Sequence, residues 1–250
     1  MSIYVWTSEI KNVYIWTTPV KAVYVGTKKI RPVWKPWANT IWYWTFDDRN
    51  ANQITDVSWK GNNLTWWTMP SYVQVSWTNY AGNYANVSSW TAPNKNFWTM
   101  NTPMTVLAWV MVTATWQNYV SYFWRWTSWN AYQNSMIYWY NSWQFEYYED
   151  KSNQGIKRVT IKSWVSLNTW YLIWYTRNWT SVTTYCNWVA WWTTTWYSDT
   201  WDKSFYLWSS NGWWSERFKG KIWECVIENI ARTAQEVANY YNLTKSNYWL

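Results

Sequence analysis

The chain has 250 residues, of which 49% are hydrophobic and 14% charged, and a net charge of +8. This composition excludes a disordered or fibrous chain and is long enough for one large β-sandwich or two small domains. Two cysteines and no histidine exclude a zinc site and histidine-dependent acid–base or triad chemistry.

The first 31 residues repeat with a period of ten. The copies open on Ile3-Tyr4-Val5-Trp6-Thr7, Val13-Tyr14-Ile15-Trp16-Thr17 and Val23-Tyr24-Val25-Gly26-Thr27. Each is a β-rich triplet, a turn-like centre and a second short apolar stretch, which reads as a small hairpin or meander. Residues 1–37 carry six basic residues against Glu9 alone. Such a segment can attract nucleic acid, anionic glycans or an acidic partner, or simply form a solvated face. Pro32 and Pro36 punctuate its end as a linker. Residues 1–37 therefore read as a repeated β-hairpin attachment segment, and 38–250 as a separate domain. The opening MSIYVWTSEI lacks the basic head and apolar core of a secretory signal. The longest apolar run, Val106 to Val112, is seven residues against about 20 for a spanning helix, so no membrane insertion is predicted.

From residue 40 onward the pattern predicts short strands at 41–46, 72–76, 84–88, 104–113, 119–124, 135–140, 143–148, 156–162, 170–176, 181–186, 204–208 and 221–227. Their spacing fits an all-β, two-sheet antiparallel sandwich or jelly roll. Val106, Ala108, Val110, Tyr171, Ile173, Cys186, Ile222 and Ile227 are the candidate core. Cys186 and Cys225 sit among β-branched and apolar residues and read as buried thiols. Thr233-Ala234-Gln235-Glu236 has the pattern of a capping box, and predicts one short helix over 233–241.

Tryptophan is the anomaly, with 33 copies against 6 glycines, where roughly 17 glycines would be usual for this length. A β chain rich in turns needs glycine for positive φ. The repeats hold Trp6, Trp16 and Gly26 at one position, although tryptophan and glycine share no steric property. Trp59, Trp179, Trp188, Trp213 and Trp214 likewise fall inside polar turns, and glycine at 179 or 188 would give Asn-Gly, a strong hairpin signal. These tryptophans read as UGA codons that some bacteria and their viruses assign to glycine. They are expected in turns, exposed and often at positive φ. Trp109 and Trp170 lie in apolar strands and read as true tryptophan.

With suspect tryptophans taken as glycine, Thr45-Phe46-Asp47-Asp48 followed by Asp56-Val57-Ser58 and Lys60-Gly61-Asn62-Asn63 resembles the opening of laminin-G-like jelly rolls of the concanavalin A-like superfamily. Thr102 to Val112 resembles their T-x-x-A-W-V strand, and Leu167 to Tyr175 their L-x-x-W-Y-x-I strand. Phe218-Lys219-Gly220-Lys221-Ile222 through Ile227 resembles their closing strand. The resemblance covers about residues 40–243. It implies a sandwich and a structural Ca²⁺ between the opening and closing strands, held by Asp47, Asp48 and Glu224. Trp223 stands where the closing strand usually has Asp, which weakens that ligand set. The N-terminal repeats resemble small modules of phage tail and virion-surface proteins, in which they would attach or trimerise the protein.

This resemblance implies a binding module for glycan or cell-surface polysaccharide, on a virion or extracellular surface, joined to other tail subunits through residues 1–37 and able to form a homo-oligomer. A structural tail or fibre subunit is the alternative. Glycosidases of the superfamily place paired carboxylates on one face of a strand. The nearest pattern here, Glu146 and Glu149, is three apart and would face opposite sides, so no catalytic residue is assigned. Nucleic-acid binding is set aside, because the aromatic signal it would need is the suspect one.

Overall fold

β-branched and aromatic residues alternating at period two form strands because they cover a pleated, half-buried surface well. The computed structural model describes residues 23–25, 28–30, 39–47, 53–58, 60–65, 70–75, 80–83, 94–97, 103–114, 118–127, 130–139, 143–151, 155–195, 203–207 and 218–245. The chain divides into two units, Met1–Ala38 and Asn39–Leu250. In the first, β1 (Val23–Val25) and β2 (Lys28–Ile30) pair antiparallel with Tyr24 opposite Lys29. The third repeat copy is thus a hairpin; the first two lie outside the described residues.

The second unit contains, in order, β3 (Thr40–Thr45), β4 (Gln53–Ile54), β5 (Leu64–Thr65), β6 (Ser71–Gln74), β7 (Tyr80–Asn83), β8 (Asn94–Phe97), β9 (Met104–Val112), β10 (Asn118–Thr127) and β11 (Asn130–Trp139). It continues through β12 (Gln144–Lys151), β13 (Gly155–Lys162), β14 (Trp170–Asn178), β15 (Ser181–Cys186), β16 (Val189–Thr195), β17 (Lys203–Leu207), β18 (Gly220–Glu228) and α1 (Ala234–Thr244). One sheet runs β16-β15-β14-β9-β18-β7-β6, with β3 also pairing β18, and the other runs β13-β12-β11-β10-β17-β8. Strand pairs in both sheets are antiparallel. This is the predicted two-sheet sandwich. The strand expected at 84–88 lies outside the described residues. The sequence pattern missed β4, β5, β7, β8 and β16.

All eight candidate core residues belong to the cluster between the sheets. There Phe145 meets Tyr171 at 5.7 Å between ring centroids, and Tyr147 meets Tyr175 at 4.6 Å. Central strands β9, β14 and β18 are buried on both faces. The second face of β9 and β18 lies under α1, where Trp109 stacks on Tyr241 and donates to Thr244 Oγ1 at 3.2 Å. Thr233 caps α1 as expected, accepting from Glu236 N while Glu236 accepts from Thr233 N. Cys186 and Cys225 are buried free thiols, and burial pushes the Cys186 thiol up to about 12.

The described tryptophans fall into two groups. Trp44, Trp109 and Trp174 are fully buried, and the indole N–H of each donates a hydrogen bond: Trp44 to Asn62 O at 2.9 Å, Trp174 to Asn187 O at 3.2 Å, and Trp109 as above. Trp170 is buried at the start of β14. By contrast, Trp143, Trp164 and Trp179 have φ of 51°, 54° and 55° and are 42%, 81% and 63% exposed. Genuine glycines Gly61 and Gly155 occupy the same left-handed region at 72° and 85°. Trp188 is exposed in its turn, but the positive φ there belongs to Asn187, at 56°. Trp6, Trp16, Trp59, Trp213 and Trp214 lie outside the described residues.

Candidate functional site

Of the residues expected to hold calcium, the structure describes Asp47 and Glu224. Glu224 is buried beneath α1, where it accepts from Tyr43 Oη at 2.6 Å and from the hydroxyl of Tyr240. Both its oxygens are committed to phenols that tie β3 and α1 to β18. Asp47 Oδ1 instead accepts from Tyr80 N at 2.7 Å, and Asp48 lies outside the described residues. Ca²⁺ takes six to eight oxygens, and among the described residues no three acidic or sulfur side chains converge on one point. Glu224 thus already serves two hydroxyls in a buried layer, which disfavours it as a ligand to the ion. Melting curves recorded with millimolar calcium and with chelator are expected to coincide; a rise of several degrees with calcium would reinstate the site.

Asp56 has a structural duty as well. Its carboxylate accepts from Tyr43 N at 3.1 Å, Ser58 N at 2.9 Å and Asn62 N at 2.9 Å. It thereby folds the 56–63 turn against β3, with Gly61 supplying the positive φ.

Strand alternation separates Glu146 from Glu149 as predicted. Phe145, Tyr147 and Glu149 of β12 point into the sandwich. There Glu149 Oε1 accepts from Arg177 Nη1 at 2.9 Å, both side chains being fully buried. Gln144, Glu146 and Tyr148 stand on the outer face of the six-stranded sheet. The two acids thus serve different layers, and a retaining-glycosidase pair, which needs carboxyls about 5 Å apart in one cleft, is not formed by them.

On that outer face, Glu146 accepts from the Gln144 amide. Arg158, opposite Tyr148 in the β12–β13 register, lies 3.9 Å from Glu146 Oε2 and 5.3 Å from the centroid of the Tyr148 ring. Burial raises the Glu146 carboxyl above its usual range, while Gln144 and Arg158 oppose the shift. The register continues the Arg158–Tyr148 row through Ser135, Tyr122, Tyr206 and Asn94. Sequence reading overlooked Gln144, Tyr148 and Arg158. The signal was present in their i, i+2, i+4 spacing on β12 and in the β12–β13 hairpin.

No family model matches the chain, and no curated protein matches it. Solved structures do. A Trypanosoma rangeli sialidase solved with sialic acid aligns at TM-score 0.59 and 11% identity, over 85% of this chain and 34% of that one. The binding domain of Paraclostridial Mosquitocidal Protein 1 aligns at TM-score 0.60 and 15% identity, over 82% and 52%. Domain 4 of AbnA, an extracellular arabinanase from Geobacillus stearothermophilus solved with arabinotriose, aligns at TM-score 0.55 and 16% identity, over 80% and 97%. The chain spans about a third of the sialidase and half of the toxin domain. At these identities the likeness establishes a shared β-sandwich fold. No helix among the described residues is long and apolar enough to cross a membrane.

Proposed function

We propose that the chain is a non-catalytic carbohydrate-binding module carried on a virion or another extracellular surface. The observation that carries this reading is the outer face of the six-stranded sheet, where the nearly buried Glu146 carboxylate and Tyr148 ring lie beside the Gln144 amide and the part-exposed Arg158 guanidinium. Planar polar groups beside an aromatic ring suit the alternating hydroxyl and C–H surfaces of a sugar. The arabinanase domain bound to arabinotriose, covered over nearly its whole length, supports the same reading, as does the toxin binding domain. Residues 1–37 would attach the module to neighbouring tail subunits or assemble it into a homo-oligomer. The test is a glycan array probed with the full chain: binding to at least one glycan class is expected, and an array without hits would refute the module. Antibody labelling of phage particles and of cells would separate a virion from a cell surface.

A structural assembly subunit is the second reading. What favours it is β16, an edge strand of seven residues without a charge or proline, and exposed on both faces. Edges of that kind readily accept another strand.

We also infer that Trp143, Trp164 and Trp179 are glycine in the protein made from the natural gene, through UGA. Support comes from their left-handed backbone, shared with Gly61 and Gly155, and from their position in loops.

A further inference from the structure

Glu146 combines burial with a place on the outer face of its sheet. It is 5% exposed, yet it lies on the face of β12 turned away from the core. One carboxylate oxygen accepts from Gln144, and the other, Oε2, is buried without a hydrogen-bond partner. Arg158 Nη1, at 3.9 Å, is beyond hydrogen-bond reach. Leaving a buried carboxylate oxygen bare is costly, and native structures seldom do so without a functional reason. Glu149, three residues on, turns into the sandwich instead and meets a guanidinium at 2.9 Å.

We propose that Glu146 Oε2 is the acceptor for a hydroxyl of a neutral glycan, with Arg158 donating to a neighbouring sugar oxygen. This rests on the carbohydrate-binding reading above and narrows it to a ligand class. The bare oxygen needs a donor, and sugar hydroxyls are donors; a sugar carboxylate brings only acceptors and a like charge. Arg158 does not reverse this preference. Its charge lies beside the Glu146 carboxylate and over the Tyr148 ring, so the carboxylate offsets it. The Arg158 side chain is 37% exposed. Gln144, held against the other oxygen, fixes the carboxylate in place.

The full chain and its E146Q variant are compared on an array of neutral and carboxylated oligosaccharides that includes arabinotriose and sialyl-lactose, with a melting curve for each protein. Neutral glycans are expected to bind best. E146Q should weaken them by about tenfold, the factor expected for one hydrogen bond to a charged group. Its melting temperature should equal or exceed that of the parent, since the buried charge is removed. Preference for sialylated or uronic glycans, a loss below threefold, or a lower melting temperature would each overturn the assignment. If the parent binds no glycan at all, the carbohydrate reading itself fails; if it binds and E146Q binds equally, only the role of Glu146 fails.

Discussion

Replacing Trp143, Trp164 and Trp179 by glycine in a chain made with tryptophan there is expected to stabilise it by about 1 kcal/mol at each site. Their φ values of 51°, 54° and 55° put a side-chain Cβ against the following carbonyl, at a cost of about 1–2 kcal/mol each. Glycine removes that strain but enlarges the unfolded ensemble, which returns about 0.4–1 kcal/mol, so the strain wins by a narrow margin at each position. Trp143 and Trp164 lie in touching turns, Val165 N donating to Trp143 O at 2.8 Å, so a triple variant should gain about 2–3 kcal/mol, short of strict additivity, and melt about 4–12 °C higher. Solubility should rise too, because three exposed indoles leave the surface. The control is W44G. Trp44 is fully buried and its indole donates to Asn62 O, so the same substitution should cost about 3–5 kcal/mol there. Sequencing the gene supplies the second check, with UGA expected at 143, 164 and 179, and UGG at 44, 109, 170 and 174. Loss of stability in the triple variant, or UGG at the loop positions, would defeat the glycine assignment.

The sandwich was legible because its strands announce themselves twice. The apolar runs at Val106–Val112 and Trp170–Tyr175 became the central strands β9 and β14, buried on both faces, where residues of either parity can be hydrophobic. Strand β16 was not legible, since its exposure on both faces leaves no alternation to read. The two-residue strands β4 and β5 are too short for any period. Polar sites were harder to read. Glu224 stood in the place where the resemblance expects a cation ligand, but sequence could not reveal that Tyr43 and Tyr240, far away in the chain, would take both its oxygens. Gln144, Tyr148 and Arg158 act together only through the β12–β13 register. Trp143 and Trp164 are not marked by the sequence pattern; their backbone conformation identifies them instead.

Breaking the Arg177–Glu149 pair from either side is expected to cost about 3–5 kcal/mol. Both side chains are fully buried between the sheets. Arg177 Nη1 lies 2.9 Å from Glu149 Oε1 and 3.5 Å from Tyr147 Oη, while its Nε donates to Trp179 O at 2.8 Å. Tyr147 and Glu149 hold the guanidinium charged, and its pKa is raised despite burial, so it cannot shed its charge if Glu149 is removed. E149L strands that cation in an apolar layer, and R177M strands the carboxylate in the same way. The double variant removes both charges and fills the space with hydrocarbon, so it should be more stable than either single variant. Denaturant unfolding of the four proteins measures the coupling directly; additive effects would mean that the two residues act independently. R177M has a further consequence, because Arg177 Nε is what fastens the β14–β15 turn to the core. That turn holds the left-handed residue 179, so R177M should lose more stability with tryptophan at 179 than with glycine, whose backbone adopts this conformation without strain.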